Sequence, residues 1–239
     1  EVLRIMGTVS RPRVLLVDLD GTLYRSSKLF QDVRDRINDY ITGVLGVPAE
    51  ESNDVSGRLY RQYGLTVVGL MAEGYGVELD GWHKAVHGTL DYAELLPKNP
   101  PLKDLLDSLD MPKYIFTNAD RIHAEVCLDH IGIRDCFVDI IAFDDIVEHV
   151  KKETGATGPE LMKSVFCKPD ARAFEYAMKR ANAEAGSTMF LDDSTANIKG
   201  AKEVGLQTVL VGSKDLCEGA DYAVENFLHL KDAAPSLWQ

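Results

Sequence analysis

Five short stretches carry unbroken aliphatic and β-branched bodies: RVLLVDLD at 13–20, KYIFTNAD at 113–120, DIIAFDD at 139–145, TMFLDDS at 188–194 and QTVLVG at 207–212. Continuous runs of this kind, rather than apolar/polar alternation, suit strands covered on both faces. Between them the apolar positions recur every three to four residues. Ile122, Val126, Leu128 and Ile131 form one helical stripe that ends at Gly132, and Ala173, Phe174, Ala177 and Met178 form another. The segment 197–204, closed by Gly205, predicts a third helix before the last strand. The alternation predicts an α/β fold with a mostly parallel sheet sandwiched by helices.

The first two strands stand about ninety residues apart, far more than one crossover helix needs. Residues 25–97 show helical periodicities interrupted by glycine, which predicts an inserted helical domain, and KNPPL at 98–102 marks the return to the core. Such an insert sits over the carboxyl end of the first strand, where it can exclude water and select a substrate. The polar stretch EHVKKETGATGPELMKSV at 148–165 predicts a mobile or peripheral loop with a short helical piece.

A chain of 239 residues, 45% hydrophobic, can bury a core without disulfide or metal staples. Cys127, Cys136, Cys167 and Cys217 are scattered and form no Cys-x-x-Cys pair, which fits thiols in a reducing compartment. The formal charge of -12 argues against a nucleic-acid polymer or an anionic membrane as partner, but not against a small phosphate ester in a local basic pocket. No apolar run approaches the length of a membrane span, and the opening EVLRIMGTVSRPRV is too polar and short for a secretory signal. The expected compartment is cytoplasmic, although a chain that opens on Glu1 would keep no trace of a removed leader. Monomer is the default assembly and a homodimer stays open.

Three strands end in polar residues: Asp18 with Asp20, Thr117 with Asn118, and Asp192 with Asp193. In an open parallel sheet these carboxyl ends border the ligand crevice. Asp18 and Asp20, two positions apart before Gly21, can divide the work of phosphoryl transfer. One carboxylate attacks phosphorus; the other protonates the leaving oxygen and then activates water. Thr117 can donate a hydrogen bond to a phosphate oxygen, and Lys168 supplies positive charge. Asp192 and Asp193, with Asp18 and the carbonyl of Asp20, offer an oxygen-rich site suited to Mg2+. Taken singly, each has a plainer reading as a turn residue, a helix cap or a surface lysine. Taken together, one mechanism uses them all in sheet-compatible order. VLVGS at 209–213 lacks a dinucleotide-binding signature, and Ser194 lacks the context of a serine-esterase nucleophile.

The blocks DLDGTLY at 18–24, FTNAD at 116–120, CKPD at 167–170 and FLDDS at 190–194 resemble, in order, those of the haloacid dehalogenase (HAD) superfamily and its magnesium-dependent phosphatases. That resemblance implies a HAD-like Rossmannoid core, residues 1–24 and 98–239, with a small α-helical cap domain, 25–97. It implies Asp18 as nucleophile, Asp20 as general acid/base, and Thr117, Asn118 and Lys168 as phosphate-binding. The implied metal site is Asp18, Asp20 and Asp192, with Asp193 either completing it or holding Lys168.

RLYRQYGLTVVGL at 58–70 and WHKAVHGTLDYAELLP at 82–97 are similar to cap sequences of the pyrimidine 5'-nucleotidase group of yeast and plants. The similarity implies hydrolysis of UMP or CMP, with Tyr60, Arg61, Tyr63, Lys84 and His87 as candidate base or ribose contacts. Another small ester, such as a sugar phosphate or phosphoglycolate, stays as an alternative, as does an inactive HAD-fold interaction protein. His83 and His87, four apart, can share one helical face. The Glu of His-Glu-x-x-His is missing, so packing or surface solvation is the expected role and no zinc is placed there.

Overall fold

In a computed structural model, which describes residues 11–238, the apolar runs pair into one six-stranded parallel sheet of order β3-β2-β1-β4-β5-β6. Its strands are β1 (Val14–Val17), β2 (Lys113–Phe116), β3 (Asp139–Ile141), β4 (Thr188–Asp192), β5 (Gln207–Val211) and β6 (Tyr222–Val224). The α/β class expected from the sequence is the class observed. Residues 1–10 of the opening EVLRIMGTVSRPRV, the stretch that bears on a secretory signal, lie outside the described residues. Among the described residues no helix is long and apolar enough to cross a membrane.

Alternate residues of the central strands feed two apolar layers. Leu15, Val17, Met189, Leu191 and Val209 face one of them, with Leu102 and Leu106 of α6 (Pro100–Asp107) and Ala124, Cys127 and Leu128 of α7 (Arg121–Ile131). Leu16, Phe190 and Leu210 face the other, with Phe174 of α10 (Ala171–Arg180) and Ile198 of α11 (Thr195–Glu203). The sheet is therefore buried on both sides, as its continuous apolar runs require.

Local chemistry sets the helix ends nearest the ligand edge. Asp120 caps α7 by accepting from the His123 N–H at 2.8 Å, and Gly132 closes that helix at φ 82°. Ser194 caps α11 through the Asn197 N–H.

Between β1 and β2 the chain is helical: α1 (Ser27–Gly43), α2 (Ala49–Tyr63), α3 (Thr66–Ala72), α4 (Leu79–Val86) and α5 (Tyr92–Leu95). Helix α3 is apolar almost all round, with Val67, Val68, Leu70 and Ala72 buried, and so must be enclosed. It lies between α2 and α9 (Gly158–Ser164). A side chain at Gly69 would begin 2.8 Å from Leu59, so the close approach of α2 and α3 needs glycine there.

Two expectations are corrected. The third apolar run does not stay extended to 145: the Asp145 carboxylate accepts from the Ala142 N–H at 2.8 Å and starts α8 (Phe143–Thr154) directly after β3. The stretch 148–165 holds the short helical piece expected there, α9, but the rest is the end of α8 and a turn at Gly155 rather than a long loop. Its buried residues, Val150, Leu161 and Met162, continue a stripe begun by Phe143, Ile146 and Val147. The segment looked polar because the apolar half of its helix lies upstream of 148. β6, three residues long, went unanticipated.

Candidate active site

Strand register brings the separated acidic blocks together. Val17 stands opposite Ile115 on one side and Leu191 on the other, which sets Asp18 level with Asp192 at the carboxyl edge of the sheet. Gly21 turns the chain away at φ +88°, and a Cβ there would collide with Asp193 Oδ2. Only glycine lets the turn after β1 lie against the turn after β4.

Lys168 enters from the loop before α10 and is 1% exposed at its side chain. Its Nζ donates to Asp18 Oδ1 at 2.7 Å, to Asp192 Oδ2 at 2.8 Å and to the Phe116 carbonyl at 2.7 Å. Burial works against the ammonium, but the Asp18 and Asp192 carboxylates outweigh it and raise its pKa. Burial pushes the Asp18 carboxyl up to about 8; Lys168 opposes the rise while Asp192 and Asp20 add to it. Asp18 Oδ2 also accepts from Thr22 at 3.0 Å. Asp192 is fixed by the Ser194 N–H at 2.8 Å and by the Asn197 amide at 3.0 and 3.1 Å.

Asp193 is solvent-exposed at the rim; partial burial and the charge of Asp192 raise its carboxyl to about 6. Oxygens of Asp18, Asp192 and Asp193 lie within 4.8 Å of one another. Three carboxylates against one ammonium leave surplus negative charge on an all-oxygen donor set, which fits a hard divalent cation such as Mg2+.

Thr117 is buried; its Oγ1 accepts from the Ala119 N–H at 3.0 Å, which leaves its own hydrogen to donate. Asn118 grips the backbone of Lys168. Its Nδ2 donates to the Lys168 carbonyl and its Oδ1 accepts from the Lys168 N–H, each at 3.0 Å. It positions the lysine.

Asp20 belongs to a second network. Its Oδ1 accepts from the Tyr24 hydroxyl and lies 2.9 Å from His123 Nε2. Burial opposes ionisation of Asp20, but His123 and Tyr24 overcome it and lower its pKa; reciprocally, burial works against the His123 imidazolium and Asp20 raises its pKa. With both ring nitrogens protonated, His123 Nδ1 donates to Tyr92 Oη at 2.8 Å and Tyr92 passes its own proton toward the His87 carbonyl at 3.2 Å. Sequence reasoning missed His123, Tyr24 and Tyr92. The available signal was the position of His123, three residues after the capping Asp120 and so on the first turn of α7.

Asp20 opens onto a cavity of about 330 Å³ whose walls include Phe30, Val33, Ile37, Trp82 and Phe143. His83, His87, Asp120 and His123 line both this cavity and a second one of about 620 Å³. Of the five residues named for specificity, Tyr60 lines the first cavity, Lys84 the second and His87 both. Arg61 and Tyr63 line neither. The His83–His87 pair is neither mere packing nor a solvated face: both rings turn their Nδ1 atoms to Asp120 Oδ2.

The family model for haloacid dehalogenase-like hydrolases matches residues 12–205, and the chain belongs to that family. Its sequence is similar to Phosphate metabolism protein 8 of Saccharomyces cerevisiae, 26% identical over 225 residues; the match covers 90% of this chain and 65% of that protein's length. The fold is similar to that of CbbY from Rhodobacter sphaeroides, solved in complex with phosphate, at a TM-score of 0.63 and 18% identity over 92% of this chain and 96% of that one. It is also similar to that of the HAD-hydrolase YfnB from Bacillus subtilis, solved with magnesium, at 0.58 and 21% identity over 93% and 98%.

Proposed function

We propose that this chain is a magnesium-dependent phosphomonoester hydrolase that works through an aspartyl-phosphate on Asp18, with pyrimidine nucleoside monophosphates such as UMP and CMP as substrates. The observation that carries the reading is the buried Asp18–Lys168–Asp192 cluster at aligned strand ends, with Asp20 two residues on and facing a cavity. The magnesium-bound and phosphate-bound neighbours and the phosphate-metabolism relative support it.

Lys168 and Thr117 bind the phosphoryl oxygens, and an Asp18 carboxylate oxygen attacks phosphorus as the bond to the leaving oxygen breaks. The Asp20–His123 pair holds one proton between its two groups. Asp20 delivers that proton to the leaving oxygen. It recovers a proton from the water that next attacks phosphorus, which breaks the acyl-phosphate bond, frees inorganic phosphate and restores Asp18. Asp18, Asp192 and Asp193, with the Asp20 carbonyl, would hold Mg2+; when bound, it neutralises negative charge where nucleophile and phosphate meet.

In this reading residues 25–97 act as a cap over the core, and the apolar cavity beside Asp20 receives the flat face of the base while His87 and Tyr60 border it. The ligand is a small ester, not a nucleic-acid polymer.

The test is phosphate release with Mg2+ from UMP, CMP, their deoxy forms, purine monophosphates and sugar phosphates, with Asp18→Asn as the blank. Preference for the pyrimidine esters supports the full reading. Activity confined to another ester rejects the nucleotide assignment and keeps the chemistry; no activity on any ester leaves an inactive interaction protein.

A further inference from the structure

We propose that His83, His87 and Asp120 form a second metal site, of a different chemical class from the aspartate cluster, which takes a divalent transition ion such as Zn2+ and ties α4 to the start of α7.

The geometry follows from two helices. His83 is within α4 and His87 follows its last turn, four residues on, so both rings leave the same face; they stack at 10° with centroids 6.4 Å apart. Asp120 faces them from the N-cap of α7 and divides its two oxygens. Oδ1 caps the helix through the His123 N–H at 2.8 Å, which leaves Oδ2 for the histidines. His87 Nδ1 hydrogen-bonds that oxygen, and His83 Nδ1 lies 3.1 Å from it. The contact of His83 lacks the alignment of a hydrogen bond, so its Nδ1 is a buried polar atom without a hydrogen-bonding partner. Donor atoms of all three residues fall within 4.8 Å of one another. Donors at about 2.0–2.2 Å from a shared ion stand roughly 3–3.5 Å apart, within reach of small side-chain rotations.

The surroundings match what a metal-binding histidine needs. His83 Nε2 lies 3.1 Å from Asp144 Oδ1, and Asp144 is itself anchored by the Arg121 N–H at 2.8 Å. A carboxylate on the far nitrogen fixes the ring and makes Nδ1 the free donor. Asp80 and Asp144 line the second cavity and give a cation acidic surroundings there, and a water can complete the coordination from either cavity. Two imidazoles and one carboxylate select Zn2+ or its transition-metal neighbours over Mg2+, which prefers oxygen ligands and keeps its water. Because the three donors line both cavities, a bound ion would fix the side chains where the two meet.

The experiment is equilibrium dialysis of the full chain against Zn2+ with Mg2+ in large excess, repeated with Co2+ and read by visible absorption. One equivalent of Zn2+ that Mg2+ does not displace is expected, with a Co2+ spectrum showing nitrogen ligation. His83→Gln and His87→Gln should each weaken Zn2+ at least about 100-fold, more than removal of a ligand's own hydrogen-bond partner. Asp144→Asn, which keeps all three donors, should weaken it about 10-fold and decides the matter if either histidine variant fails to fold. Zn2+ uptake abolished by Mg2+, or undiminished in the folded variants, overturns the proposal. Neither readout depends on the phosphatase reading.

Discussion

Lys168→Met keeps much of the lysine's length and apolar stem while removing its charge. The ammonium lies 2.7 Å from Asp18 and 2.8 Å from Asp192, with side-chain exposures of 1%, 9% and 0% respectively. Taking one partner from a buried ion pair strands the other, at a cost of about 3–5 kcal/mol, and here two carboxylates and the Phe116 carbonyl lose their donor. For a chain of this size each kcal/mol moves the unfolding midpoint by about 2–4 °C, so a drop of roughly 6–20 °C is expected.

The pH dependence identifies the cause. Asp18 already titrates near 8 with Lys168 in place, and removing the lysine raises it further. Its protonation on acidification removes one of the stranded charges, and because in the variant this takes place above pH 8 the penalty should shrink from about pH 9.5 to about pH 7. The assay is thermal and urea unfolding of both proteins at the two pH values, in chelator. Asp18→Asn added to the variant should recover part of the loss. A loss under about 1 kcal/mol, or one equal at both pH values, would refute the reasoning, because apolar packing alone carries no such pH dependence.

Gly21→Ala should lower the urea midpoint by an amount equivalent to about 1–3 kcal/mol, since φ +88° and a Cβ pressed against Asp193 Oδ2 both penalise a side chain; an unchanged midpoint contradicts this. His83 stands at about 9, where burial opposes its charge and Asp120 and Asp144 more than restore it. Since that value lies above the unfolded 6.5, the pairing stabilises fully below about pH 6.5 and the effect is lost as pH rises through about 9, with an upper bound of about 3 kcal/mol. His83→Gln in chelator should accordingly be less stable than the parent at pH 6 and approach it near pH 10; a pH-independent difference in thermal midpoint rejects the assignment. Asp192→Asn should raise the Mg2+ concentration for half-maximal phosphate release by at least about tenfold, and an unshifted titration would remove Asp192 from the metal site.

The sheet was legible because its strands are buried on both faces, which leaves an unbroken apolar signature at Val14–Val17 and Thr188–Asp192. The acidic blocks were legible for the same reason: parallel register carries strand-end residues to one edge whatever their distance in sequence. β6 was not, since three residues with Tyr222 and Ala223 only half-buried carry no pattern. The helical identity of 148–165 was hidden because its buried stripe begins at Phe143, inside a stretch that reads as a strand. The network of His83, His87, Asp120 and His123 depends on how α4 meets α7, a tertiary relation between segments that no local period records. Asn118 was identified as part of the site, but its task of holding the Lys168 backbone becomes visible only when the two loops are in contact.

The central claim is that Asp18 is the nucleophile, and the most direct measurement is an acid quench of the enzyme during steady turnover with Mg2+ and its best phosphate ester, followed by peptide mass spectrometry. The account expects one phosphoryl group on the peptide containing Asp18, labile to hydroxylamine and absent from Asp18→Asn. Turnover with no phosphoryl group on that peptide, or undiminished turnover by Asp18→Asn, would contradict it.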